Sequence, residues 1–134
     1  MITERPRSEM VRYWWSKAED SLGSARREFE AGSLSFAMNR IYYAAFYGVC
    51  AVLMEQGLLF KKHSGVRSAF HHQFIKTSKL DPKWGKLYDQ LFEDRQEGDY
   101  VVFVSFEHEY VESQLEECAR FLAALKKFLS PLPK

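Results

Sequence analysis

Apolar residues recur every three or four positions along most of the chain, which is the spacing of one face of an α-helix. N-cap residues, glycines and prolines mark where these stripes begin and end. The predicted helices run from an N-cap at Ser8 to a stop at Gly32, from Ser33 or Ser35 to Gln56, from near Ser64 past Phe74, from Asp81-Pro82 past Arg95, and from near Ser105 to Pro131.

One segment, residues 100–104, has the composition of a β-strand, but no other segment is suited to pair with it. We expect an extended apolar connector there. The fold class predicted is all-α, an up-and-down bundle of four to five antiparallel helices joined by short loops. With 134 residues the chain is predicted to form a single domain over residues 1–134, with its core at about 8–130.

The second predicted helix has almost no polar face between residues 36 and 54. A helix that is apolar all round must be covered all round, either at the centre of a bundle or at a subunit interface. The second helix is therefore expected either to lie at the centre of the bundle or to form the interface of a homodimer. The small residues Ala44, Ala45 and Gly48 would let a neighbouring backbone approach closely.

Composition narrows the class of protein further. The formal net charge of +1 gives no overall attraction to nucleic acid or to an anionic membrane, although a local basic site remains possible. The N-terminus is polar, and the apolar run 41–54 is shorter than a membrane span. Cys50 and Cys118 are expected to be reduced, buried thiols. We expect a soluble, cytoplasmic protein that does not bind membranes.

Two arginines lie within apolar stretches and need partners, because an unpaired buried charge costs several kcal/mol. Arg40 is expected to stack on Tyr43 or Tyr47 and to bind a carboxylate. Arg95 ends an apolar stripe, and its candidate partners are Asp89, Asp94, Glu97 and Asp99. These arginines either tie helices together through buried ion pairs or form a phosphate or nucleic-acid site.

The loop Lys61-Lys62-His63-Ser64-Gly65 precedes the third helix, and helix N-termini attract anions. It is either a phosphate-binding loop or ordinary solvated surface. The remaining histidines show no metal-ligand spacing, so no metal or other cofactor is expected. Motifs of nucleophilic hydrolases and nucleotide-binding loops are absent from the sequence.

Several segments together resemble the HEPN domain family, in particular the small stand-alone proteins formerly grouped as an uncharacterised UPF family. They are residues 33–47, residues 62–66, Phe70, Phe74, and Arg95 with Asp99-Tyr100, within a match from about Trp15 to Phe128. The resemblance implies a helical bundle that is usually dimeric. Many relatives are encoded beside a minimal nucleotidyltransferase and act with it as a toxin–antitoxin-like pair.

Numerous HEPN proteins are metal-independent ribonucleases, with a motif of arginine, a polar residue, three variable residues and histidine. The histidine and arginine meet across the dimer. Here Tyr100 occupies the histidine position after Arg95, and a phenol of ordinary pKa near 10 is a poor general base at neutral pH. Arg67 and His72 have the bare spacing too, but they lie in the third helix without the polar second residue, so we interpret that match as chance.

Three functions remain open. The leading hypothesis is a dimeric nucleotide- or RNA-binding partner of a minimal nucleotidyltransferase. Its candidate site residues are Arg40, Tyr43, Lys62, His63, Arg95 and Asp99, with Tyr100 as a stacking group or hydroxyl donor. The competing hypothesis is a ribonuclease toxin in which His63 transfers protons and Arg95 stabilises the phosphorane. A third is a structural bundle without a ligand, in which the arginines pair only internally.

Overall fold

The computed structural model describes residues 6–100 and 105–131, except for the side chain of Tyr100. Helices account for most of these residues, and no strand occurs among them, which confirms the all-α prediction. The helices are α1 (Arg7–Glu30), α2 (Leu34–Glu55), α3 (His63–Phe70, continued by a π-helical turn at His71–Ile75), α4 (Pro82–Tyr100) and α5 (His108–Lys126).

Most predicted helix ends lie within two residues of the observed ones. Gly32 adopts a left-handed φ of +80° directly after α1, as expected for a helix stop. The side chain of Asp81 accepts a hydrogen bond of 2.9 Å from the backbone of Lys83, which confirms the start of α4. Residues 101–104 of the predicted connector lie outside the described residues, whereas Tyr100 is the last residue of α4.

Two predicted starts were wrong. Ser8 lies inside the first turn of α1, because the carbonyl of Pro6 already accepts a hydrogen bond from the backbone N–H of Glu9 at 3.0 Å. The last helix begins at His108 rather than near Ser105, and it ends at Lys126, several residues before the predicted stop at Pro131. Phe106 packs against the core ahead of the helix, which accounts for the later start.

Helix α2 lies at the centre of the bundle, which confirms one of the two positions expected for it. Its fully buried side chains include Ile41, Tyr42 and Val49, and α1, α4 and α5 all pack against it. One strip of α2 stays open to solvent: Phe36 is exposed, and Arg40, Tyr43 and Tyr47 are half-buried.

The length and hydropathy of α2 are also those of a membrane-spanning helix, so the apolar run is not too short in itself. Within the bundle, however, 72% of its most apolar window is buried. This burial is typical of the core helix of a soluble protein.

A tight contact lies at Gly48, but the neighbouring atoms are side chains of α5 rather than the backbone that was predicted. A β-carbon at Gly48 would lie 2.6 Å from Leu122 Cδ2 and 3.1 Å from Leu125 Cδ1. Cys50 and Cys118 are both free and buried, as expected. Burial raises the pKa of each thiol to about 12.

Candidate functional site

The arginine at the end of α4 is paired with a carboxylate from its own helix. Arg95 Nε lies 3.0 Å from Asp99 Oδ2, one turn later, and the two side chains are 15% and 28% exposed. Arg95 also donates a hydrogen bond of 3.1 Å from Nη2 to the hydroxyl of Tyr43 on α2. Asp99, one of the four partners considered for Arg95, is therefore confirmed as a partner.

Asn39 joins this pair to Arg40, and sequence reasoning overlooked it. Its amide nitrogen donates to Asp99 Oδ2 at 3.0 Å, and its amide oxygen accepts from Arg40 Nε at 3.0 Å and Nη2 at 2.5 Å. Arg40 stacks on Tyr43 as predicted, with Cζ 5.2 Å from the ring centre. Its hydrogen bonds, however, go to the amide oxygen of Asn39 rather than directly to a carboxylate.

His63 is the first residue of α3, where the loop from α2 returns to the bundle. Its ring stacks on Phe46 with centroids 4.1 Å apart and planes 12° apart. Nδ1 lies 2.8 Å from the hydroxyl of Tyr42. These contacts fix the plane of the imidazole and involve Nδ1 rather than Nε2.

The structure brings His63 and Arg95 together on the same pair of tyrosine rings. Arg95 Cζ lies 5.5 Å from the ring centre of Tyr42 and 5.4 Å from that of Tyr43. The imidazole of His63 lies 5.8 Å from Tyr42 and 5.7 Å from Tyr43, centroid to centroid. An imidazole and a guanidinium therefore lie on the same two rings within a single chain.

Burial, and secondarily the positive charge of Arg95, lower the pKa of His63 below its ordinary value near 6.5. The imidazole is thus mainly neutral at pH 7, as a general base must be. Burial raises the pKa of Tyr42, so its hydroxyl stays protonated at the same pH. The Tyr42–His63 hydrogen bond therefore joins two neutral groups.

Two further predicted site residues lie at the edge of this arrangement. Lys62 precedes α3 in an extended conformation with an exposed side chain, and its carbonyl accepts the hydrogen bond that opens the helix. Tyr100 ends α4, but its side chain is outside the described residues. The roles assigned to both remain predictions.

Arg67 and His72, which have the second arginine–histidine spacing, do not contact a common partner among the described residues. Arg67 packs over Phe92, with Cζ 4.3 Å from the ring centre, and its Nε lies 3.9 Å from Asp89 Oδ1. The histidine that shares Asp89 is His71, at 2.9 Å, whereas His72 is exposed. The match between Arg67 and His72 therefore assembles no common site, which supports its interpretation as chance.

Comparison with known proteins identifies the family of the chain. The model of the HEPN domain family matches residues 11–128. The chain is 40% identical over 128 residues to a UPF0332 protein of Thermotoga maritima, covering 96% of this chain and 97% of the relative. It is 36% identical over 113 residues to a Methanocaldococcus jannaschii protein named "Putative toxin MJ0142", covering 84% and 77% of the two chains. The chain belongs to the HEPN domain family.

Proposed function

We propose that this HEPN protein cleaves RNA without a metal ion, with His63 as the proton-transfer group and Arg95 as the phosphate-binding group. The observation that carries the proposal is their shared position on Tyr42 and Tyr43, with a neutral imidazole beside a fixed guanidinium. This arrangement gives the chain an acid–base group although Tyr100 occupies the usual histidine position.

The chemistry is transfer of a phosphoryl group within the RNA strand. When Nδ1–H of His63 donates to the Tyr42 oxygen, Nε2 carries the lone pair that accepts the proton of a ribose 2′-hydroxyl. The 2′-oxygen then forms a bond to the adjacent phosphorus while the bond to the 5′-oxygen breaks. The leaving oxygen takes a proton from water, and the products are a 2′,3′-cyclic phosphate and a 5′-hydroxyl.

Arg95 stabilises the negative charge that develops on the phosphorane oxygens. Asp99 and Tyr43 fix the guanidinium in place before the substrate arrives, and preorganised donors of this kind are worth far more than mobile ones. Asn39 connects Asp99 to Arg40, and Arg40 supplies a second guanidinium for a neighbouring phosphate.

We further propose that the protein acts as a homodimer in the cytoplasm, as the toxin of a pair with a minimal nucleotidyltransferase encoded nearby. The family membership and the name "Putative toxin MJ0142" of the M. jannaschii relative support this proposal. A pull-down from native lysate at low salt, with mass spectrometry, tests the partner. A stoichiometric nucleotidyltransferase is the expected result.

The activity is tested with purified protein and end-labelled RNA in EDTA. Arg95→Ala and His63→Gln should each lower the cleavage rate by roughly 100-fold or more, the usual contribution of such groups. Arg120→Ala is the matched control, since Arg120 also pairs with a carboxylate of its own helix, Glu117, but lies on the exposed face of α5. Cleavage that survives both Arg95→Ala and His63→Gln would come from a contaminant.

The same proteins separate catalysis from binding alone. If the wild-type protein binds RNA but does not cut it, and Arg95→Ala weakens the binding, the chain is an RNA-binding partner rather than a nuclease. If Arg95→Ala only lowers stability, the arginines serve the bundle and the proposal fails.

A further inference from the structure

A line of aromatic rings runs from the Arg95 site across α2 and onto α1. Tyr43 contacts Tyr47 with ring centroids 5.6 Å apart, and Tyr47 stacks on Trp14 at 5.8 Å with planes 26° apart. Trp14 in turn meets Tyr13 edge-on at 5.3 Å. We call these four residues the aromatic track; it begins at the tyrosine that binds Arg95.

The aromatic track is open to solvent. Tyr13 is 56% exposed, and the other three rings are half-buried. Beside Tyr13 and Trp14 lies an open cavity of about 540 Å³, which Glu9, Met10 and Leu59 complete. Rings in this setting have faces or edges that a second planar group can reach.

Cations accompany the rings along the track. Lys17 Nζ lies 5.3 Å from the ring centre of Tyr13 and 4.9 Å from that of Tyr47. Arg40 Cζ lies 5.2 Å from the ring centre of Tyr43. Glu9, an acidic residue, lines the cavity at the end of the track far from Arg95.

This combination fits single-stranded nucleic acid better than a protein surface. Single-strand binding sites combine aromatic rings, on which bases stack, with cations that follow the phosphates. Lysine is depleted in protein–protein interfaces, where aromatic side chains are enriched. Here a lysine lies at the middle of the track, within reach of two of its four rings.

We propose that the aromatic track binds single-stranded RNA, stacks its bases on Tyr47, Trp14 and Tyr13, and leads the strand to Arg95. Lys17 and Arg40 then contact the phosphates, and the cavity beside Tyr13 and Trp14 takes a base. This inference rests on the proposed ribonuclease function, because it supplies the strand that His63 and Arg95 act on.

The test is the affinity for a short, mixed-sequence 2′-O-methyl oligoribonucleotide, which lacks the attacking hydroxyl and stays intact. Trp14→Ala and Tyr13→Ala should each weaken binding by roughly 5- to 100-fold, the usual effect of losing one stacking ring. Trp14→Phe should retain most of the affinity. Tyr13 is largely exposed, so its variant disturbs little of the core.

Lysine variants test the electrostatic part. Lys17→Gln should reduce the slope of the logarithm of the RNA-binding constant against the logarithm of the salt concentration by about 0.7, the value for one phosphate of a single strand. Lys83→Gln is the matched control, because Lys83 Nζ also lies over an indole, 4.7 Å from the ring centre of Trp84, but at the start of α4. It should leave both affinity and slope unchanged.

Intrinsic fluorescence gives an independent measurement. Of the three tryptophans, Trp15 and Trp84 are buried at 4% and 7% exposure, whereas Trp14 is half-buried. RNA should quench the wild-type emission by stacking on Trp14. The quenching should disappear in Trp14→Phe although this variant still binds.

Three outcomes overturn the inference. If Arg95→Ala weakens RNA binding but Trp14→Ala and Tyr13→Ala do not, the track is unused and the proposed function stands. If Trp14→Ala instead turns a dimer into a monomer without changing the RNA affinity of each protomer, the track is a contact between two copies. If the wild-type protein binds no RNA at low salt, the inference and the proposed function fail together.

Discussion

Replacing Gly48 by alanine tests the contact between α2 and α5 directly. The added β-carbon would lie 2.6 Å from Leu122 Cδ2 and 3.1 Å from Leu125 Cδ1, so both leucines must move. Overpacking of this kind costs about 1–3 kcal/mol. Alanine in a helix interior recovers about 1 kcal/mol relative to glycine. The net expectation is a loss of about 1 kcal/mol of unfolding free energy, which corresponds to about 4 °C in Tm.

Gly23→Ala is the matched control for this experiment. Gly23 lies inside α1, and a β-carbon there would meet only Arg27 Nη1 at 3.5 Å, an ordinary contact. The free energy of unfolding of this variant should rise by about 0.5–1 kcal/mol, because glycine inside a helix is less stable than alanine by that amount. Urea denaturation of both variants and the wild type gives the two differences. If Gly48→Ala proves as stable as Gly23→Ala, the two leucines yield freely, and the tight α2–α5 contact is not a constraint on the sequence.

Three further predictions concern titration and buried polar groups. In an NMR titration His63 should have a pKa below 6.5, and Arg95→Gln should raise it by removing the repelling charge. This folded-state pKa lies below the unfolded one, so the contribution of His63 to the free energy of unfolding is complete above about pH 6.5 and is lost as the pH falls. In thermal melts, the Tm of His63→Gln should therefore fall less between neutral and acidic pH than the Tm of the wild type. Cys50 and Cys118 should not react with a thiol reagent at pH 8 until denaturant is added, since the pKa of each is about 12. Asp94→Ala should lower the free energy of unfolding, measured by urea denaturation, by about 1–3 kcal/mol, because it removes the acceptor of two side-chain hydrogen bonds.

Much of the fold follows from local sequence rules. The periodic stripes predict the helices, Gly32 ends α1 through its positive φ, and Asp81 caps α4. The starts of α1 and α5 were misplaced because they depend on the carbonyl of Pro6 and on the packing of Phe106. A cap rule that considers only local composition does not include these contacts.

In the candidate site, too, some contacts follow from local spacing and others depend on the tertiary fold. Arg95 and Asp99 are four residues apart on one helix, so their pairing could be predicted from spacing alone. The contact between Tyr42 and His63 depends on the course of the loop between α2 and α3, which spacing does not determine. Asn39 was overlooked because its partner Asp99 lies 60 positions away, although a polar residue beside Arg40 in an apolar helix was a usable signal.

The site is assembled from distant parts of the chain, and this has a consequence during synthesis. Asn39, Tyr43 and His63 belong to the first half of the polypeptide, whereas Arg95 and Asp99 lie beyond residue 90. Domains emerge from the ribosome N-terminus first. The residues that carry the imidazole and the tyrosine rings are therefore synthesised before the guanidinium that completes the site. A truncated product ending before α4 would carry the imidazole without its arginine, so it should be inert in the assay of the proposed RNA cleavage.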